Sequence, residues 1–165
     1  MSSLDLMLGE LRLGTMMRHA QEVAIRAERE GWSSTRYLHD LMEMELLERG
    51  QRRIQKRLKE SGLPTGKTLT TLELSRLPEP VRRQLPTLCE GHFIERGHNI
   101  LAFGLPGRGK THLLRAIGHA LIERGYRVLF MPAFKLVQRL LTAKHELRLE
   151  KELRRLDGTA HGHPR

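Results

Sequence analysis

The chain has 165 residues, enough for one domain or for a small domain and part of another. Its 29 Lys and Arg against 19 Asp and Glu leave a formal charge of +10, with an isoelectric point near 10.6. Such an excess attracts nucleic acid or other polyanions and says nothing about fold. Cys89 stands alone, which excludes an intrachain disulfide and points to a reducing compartment. No run approaches a membrane span and the N-terminus lacks the basic-then-apolar order of a signal peptide, so a cytoplasmic protein is expected.

Taken in chain order, Ser3 to Leu13 fits a short helix with Leu4, Leu8 and Leu11 on one side and Gly14 as its stop. Thr15 is the expected N-cap of a second helix, in which Met16, Ala20, Val23, Ala24 and Ala27 recur at helical spacing before Gly31 ends the run. Trp32-Ser33-Ser34 reads as a capped start, with Trp32 placed to staple onto Tyr37. The third helix is expected from about Ser34 to Glu60, its apolar positions including Leu41, Met44, Leu47, Ile54 and Leu58. These three helices predict a small helical domain over 1–62.

The far half of the third helix is strongly basic. At about 100° per residue, Arg49, Arg52, Arg53, Lys56 and Arg57 fall opposite Leu47, Ile54 and Leu58. One face can then pack while the other meets DNA phosphates, or the basic face is simply solvated. No base-reading arrangement of Asn, Gln or Arg accompanies it, so any DNA binding is expected to be sequence-independent.

Residues 63–90 read as a linker or collar, because Pro64, Pro78, Pro80 and Pro86 interrupt helices and central strands alike. Within this region, Gly62-Leu63-Pro64-Thr65-Gly66-Lys67-Thr68 imitates a phosphate-binding loop but has three residues between its glycines where the pattern needs four. It also follows a basic helix instead of an apolar strand, and is rejected as a nucleotide site. Beyond it, His92 and His98 have no further ligand type arranged beside them, so no metal site is expected there.

The apolar run Ile100-Leu101-Ala102-Phe103 leads into Gly104-Leu105-Pro106-Gly107-Arg108-Gly109-Lys110-Thr111, which fits G-x-x-x-x-G-K-[ST], the P-loop or Walker A pattern. His112-Leu113-Leu114-Arg115-Ala116-Ile117 leaves it as a helix expected to reach about Arg124 and stop at Gly125. Strand, loop and helix in that order separate a phosphate cradle from a chance string of small residues. Gly104, Gly107 and Gly109 let the backbone approach an anion, and the amides from about Gly107 to Thr111 point partial positive charge at it. Lys110 is expected to reach the β- and γ-phosphates and the Thr111 hydroxyl to coordinate Mg²⁺, while Arg108 adds charge without a fixed role.

Arg127 to Met131 is a second apolar run, expected as a buried parallel strand. Phe134 to Leu156 then reads as one long helix with Arg139, Arg148, Lys151, Arg154 and Arg155 interleaved among its leucines. Hydrolysis needs a carboxylate at the end of another strand to help hold Mg²⁺. No apolar strand running into Asp follows Thr111; Asp157 ends a helix instead. Nucleotide binding without hydrolysis is therefore the expectation. Gly158 to Arg165, including His161 and His163, reads as a disordered tail.

The stretch from Phe103 to His112 resembles the P-loop of the IstB-like ATP-binding proteins, helper ATPases of insertion-sequence transposons related to the DnaC-type helicase loaders. Supporting stretches are Glu10–Met16, Ala27–Trp32, Phe93–Gly97, Phe134–Leu141 and Glu152–Asp157, so the similarity runs through nearly the whole chain. The resemblance implies a helical N-terminal domain followed by an AAA+ ATPase domain. It implies ATP and Mg²⁺ as cofactors, bound over Gly104 to His112, and self-assembly on DNA that engages a cognate transposase. The basic helix from Arg49 to Lys59 suits that DNA role by analogy.

In the family, the segment like Glu152 to Asp157 leads into the Walker B strand; here eight unrelated residues follow, which reads as a truncated or frameshifted copy. The expected architecture is thus α/β, with a helical domain and the incomplete first part of a P-loop parallel-sheet domain over 91–157. Strands that would separate its first two are missing from the sequence, so the chain beyond the helical part is expected to be poorly stable. The alternative function is a non-enzymatic DNA- or transposase-binding module acting through the basic helical domain.

Overall fold

The computed structural model describes residues 3–160, and side chains through residue 157. Among the described residues the regular elements are all helical: α1 (Ser3–Glu10), α2 (Gly14–Arg29), α3 (Ser34–Ser61), α4 (Glu79–Glu90), α5 (His92–Glu95), α6 (Lys110–Glu123), α7 (Ala133–His145) and α8 (Leu149–Ala160). Two short 3₁₀ turns, Leu69–Thr71 and Leu74–Arg76, lie between α3 and α4. None of these helices is long and apolar enough to cross a membrane. The chain divides into two compact units with the boundary between Arg53 and Ile54, inside α3.

The expected parallel sheet is overturned: no strand occurs among the described residues. A strand exists only by the ladder it makes with a neighbour, and neither candidate finds one. Leu101 and Phe103 are 75% and 86% exposed on irregular backbone. The second run does alternate, with Val128 and Phe130 half-buried and Arg127 and Leu129 exposed. However, the Phe130 N–H donates to the Ser61 carbonyl at the end of α3 (2.7 Å), not to another strand.

In the first unit, Leu8, Met16, Val23 and Leu41 form the core, with Trp32, Tyr37 and Met44 packed against it. Ser33 caps α3 as expected, its Oγ accepting the Arg36 N–H at 3.3 Å. Thr15 does not cap α2. Glu45, 3% exposed on α3, does so from thirty residues away, its Oε2 accepting the N–H groups of Thr15 (2.8 Å) and Met16 (3.1 Å). Thr15 Oγ1 donates instead to Glu48 Oε2 at 2.5 Å, and Arg18 and Arg52 pair with the same carboxylate.

The second unit is built around α6. Residues Ala116 to Ile122 are all buried, as in a helix apolar on every side. Helix α4 and the Leu69–Thr71 turn pack on it, with Leu72, Leu77, Leu85, Cys89 and Tyr126 completing the core. Helix α4 forms despite the prolines of the expected collar. Pro80 lies in its first turn, where no intrahelical N–H is needed, while Pro86 inside the helix forfeits one ladder bond. Helices α7 and α8 form a hairpin where one long helix is expected. The break falls at Leu147, which holds φ 56° and is 95% exposed. The bonds Leu147 N to Lys144 O and Arg148 N to Ala143 O close α7 in the Schellman pattern, with leucine at the left-handed position. Residues 158–160, expected in the tail, continue α8; 161–165 lie outside the described residues.

Two outcomes follow. Gly91, at φ 88°, would place a Cβ 2.4 Å from Tyr126 Cε2. Left-handed strain and overpacking therefore act together in Gly91→Ala, which should cost about 2–5 kcal/mol. Gly97→Ala, at φ 67° with nothing within 4 Å, should cost only about 1–2 kcal/mol; chemical denaturation of both variants measures the contrast.

The second concerns acid. Burial raises the Glu45 pKa, but hydrogen bonds from the Met16 N–H, Arg49 and the Thr15 N–H outweigh it and leave the carboxyl below its usual range. Hydrogen bonds from Thr15, Arg18 and Arg52 hold Glu48 at about 2, against 4.5 ordinarily. Folded values below unfolded ones stabilise the protein above the unfolded pKa, and that stabilisation is lost as pH falls through the folded pKa. Thermal stability of the intact chain should therefore fall between about pH 5 and pH 2, and Glu45→Gln/Glu48→Gln should flatten that slope.

Candidate nucleotide-binding site

The backbone from Gly104 to Gly109 favours glycine at three of its positions. Gly104, Gly107 and Gly109 hold φ of 144°, 77° and 81°, a region that side chains with a Cβ enter only under strain. Gly109 is the left-handed residue immediately before α6. The first ladder bond of α6 runs from Leu113 N to Gly109 O at 2.9 Å. The N–H groups of Lys110, Thr111 and His112 therefore stand outside the intrahelical ladder, where the helix dipole is positive.

Lys110 folds back over the loop. Its Nζ donates to the carbonyl of Gly104 at 2.7 Å and to that of Leu105 at 2.8 Å. The ammonium thus sits against the backbone of the turn, and Lys110 as a whole is half-buried. Leu105, Pro106, Arg108 and Thr111 are exposed. A Cβ built on Gly107 or Gly109 meets nothing within 4 Å, so the loop's outer surface is open there.

His112, half-buried, ties the loop to the collar: its Nε2 lies 3.2 Å from Thr71 Oγ1. Thr71 Oγ1 also donates to Gly66 O at 2.8 Å, which anchors the imitation loop. An open groove of about 480 Å³ results, with Gly107, Arg108, Gly109 and His112 on one side and Lys67, Thr71 and Arg76 on the other. Among the residues lining it, Glu73 is the one carboxylate, and it pairs with Arg76. The imitation loop itself remains irregular, and no α-helix opens after Thr68. Lys67 nonetheless reaches the groove, a placement with no signal in the local sequence.

The basic residues of α3 are divided in their roles. Arg49 donates to Glu45 Oε1 (2.8 Å) and to the Arg12 carbonyl (2.5 Å), and Arg52 pairs with Glu48. Both therefore belong to the network that holds α2 in the first unit. Arg53 and Lys56 are exposed, with Lys56 Nζ 3.9 Å from Glu60. Arg57 is half-buried and donates to the Gly125 carbonyl. Leu47, expected on the packing face, is 62% exposed.

The family described as IstB-like ATP binding protein matches residues 6–159. A protein of Sinorhizobium fredii named as an insertion sequence ATP-binding protein is 44% identical over 93% of the chain, which covers 52% of that relative. One from Pseudomonas aeruginosa, named for insertion sequence IS21, is 34% identical over 94% of the chain, covering 59% of the relative. One from Geobacillus stearothermophilus, named for IS5376, is 39% identical over 87%, covering 57%. The chain thus spans a little over half the length of these curated relatives. By a match that runs through both of its structural units, the chain belongs to the IstB-like ATP-binding protein family.

Proposed function

We propose that this chain is the nucleotide-binding portion of an insertion-sequence helper, taking ATP with Mg²⁺ at Gly104 to His112 and acting on DNA with a cognate transposase. The observation that carries the nucleotide reading is the seat of Lys110. Its ammonium rests on two carbonyls of a loop whose glycines hold positive φ, at the mouth of a helix with free N-terminal amides. These donors fit a phosphate by charge and by the open space at Gly107 and Gly109. Thr111, exposed in the first turn of α6, would supply its hydroxyl to Mg²⁺. The bound ion would neutralise phosphate charge.

His112 and Thr71 would set the groove's width, and Arg108 with Lys67 would add positive potential along it. The relatives' names, which cite insertion sequences and ATP binding, support the wider biological setting. DNA enters as the polyanion that the +10 charge attracts, with the exposed Arg53 and Lys56 of α3 as contacts and self-assembly on DNA as a consequence.

Titration of the purified chain with Mg²⁺-ATP tests this. Wild type should bind, and Lys110→Ala should weaken binding by about tenfold or more, because a charge-assisted bond to phosphate is lost. Equal affinity in the two proteins would overturn the reading. A Lys110→Arg variant, which keeps the charge but not the short reach into the turn, should fall between them.

A further inference from the structure

The stretch over 62–68 that imitates a phosphate cradle ends beside the P-loop. Lys67 lines the same groove of about 480 Å³ as Gly107, Arg108 and Gly109. One hydroxyl pins its backbone there. Thr71 Oγ1 donates to the Gly66 carbonyl (2.8 Å) and accepts from the Thr68 N–H (3.1 Å), so both neighbours of Lys67 are tied to Thr71. The same oxygen lies 3.2 Å from Nε2 of His112, in the first turn of the helix that leaves the P-loop. Through Thr71, the root of Lys67 is therefore held to the phosphate-binding turn.

The cations of this groove are not equivalent. Arg76 is paired with Glu73, the one carboxylate of the lining, and Lys110 rests on two carbonyls of its own loop. Lys67 and Arg108 are exposed, and neither has a hydrogen-bond or ion-pair partner among the described residues. An ammonium on a flexible four-carbon stem, anchored at its root and unpartnered at its tip, can reach an anion without giving up a bond. We infer that Lys67 is a second phosphate-binding lysine of the nucleotide site, laid by the collar onto the polyphosphate opposite the P-loop. The inference rests on the nucleotide reading and deepens it: the stretch over 62–68 is the far wall of one site, not a site of its own. Since the contact is to phosphate charge, it favours a nucleoside triphosphate over a diphosphate, and a diphosphate over a monophosphate.

Isothermal titration of the full chain with Mg²⁺-ATP, Mg²⁺-ADP and AMP tests it. Lys67→Gln should weaken ATP binding by about fivefold and AMP binding by less than about twofold, whereas Lys67→Arg, which keeps the charge, should stay within about twofold of wild type. Unchanged ATP affinity in Lys67→Gln, with Lys110→Ala impaired, would overturn the role of Lys67 and leave the P-loop reading in place. An equal loss for all three nucleotides would reveal an altered groove and not a lost phosphate contact, and would overturn it as well. No binding of ATP by the intact chain would remove both readings. Inorganic tripolyphosphate controls for ligand class. If it binds as tightly as ATP and is equally sensitive to Lys67→Gln, the groove takes a bare polyanion and the nucleotide assignment falls. Amine-reactive labelling of wild type supplies a readout without substitution: Mg²⁺-ATP should protect Lys67, and undiminished labelling at saturating ATP would overturn the contact.

Discussion

A helix buried on every side must be covered on every side, and α6 sets that demand for the second unit. From Ala116 to Ile122 it offers no solvated face, so its cover comes from elements that would otherwise have no reason to converge. Gly118 admits Leu63 and Val128 close to its backbone, where a Cβ would lie 3.2 Å from Leu63 Cδ1. His119, 8% exposed, meets the Pro64 carbonyl at 3.2 Å, which satisfies a buried polar group that would otherwise cost stability. Leu63 and Pro64 are thereby drawn onto α6 from the start of the collar. The same helix begins at the P-loop, so the packing that immobilises its middle also fixes where its N-terminal amides point.

The helix boundaries show which local signals the sequence carries and which it does not. Gly31 and Gly125 mark the ends of α2 and α6, and the structure stops both helices there. Helices α1 and α7 close with the same pair of backbone bonds, but with Arg12 and Leu147 in the left-handed position. An L-residue there costs about 1–2 kcal/mol and leaves no glycine to mark the turn. Each is followed at once by the next helix, whose packing offsets the strain; at the α7–α8 turn the Arg139–Glu152 pair spans the two helices. The expected end of α1 at Leu13 and the expected unbroken helix to Leu156 both fail for this reason. The cap of α2 is illegible for a different one: Glu45 belongs to the neighbouring helix, and only the folded contact reveals it.

The sheet is the larger correction. Burial does alternate over 127–130, where Val128 and Phe130 are half-buried with Arg115 stacked 4.8 Å over the Phe130 ring. Periodicity describes a face, though, and a ladder needs a partner that no local pattern specifies. Here the backbone finds the carbonyl of Ser61, a residue wholly buried with its Oγ bonded to Leu58 O and accepting from Leu63 N. The turn at Gly104, Gly107 and Gly109 is legible because its requirement is local: glycines at fixed offsets admit positive φ whatever lies beyond them.

Charge is the property that sequence alone sorts least well, because an arginine in a structural network and one facing a ligand are the same letter. Arg49 and Arg52 are consumed in holding Glu45 and Glu48, and through them the start of α2. Lys110 is likewise engaged, on the carbonyls of its own loop. Any anion arriving at Lys110 therefore exchanges bonds instead of adding them, and its net gain is smaller than the gross strength of the new contact. What favours the exchange is charge: a carbonyl offers a dipole where a phosphate offers a full negative charge beside amides already oriented toward it. The loop is thus satisfied well enough to fold without a ligand.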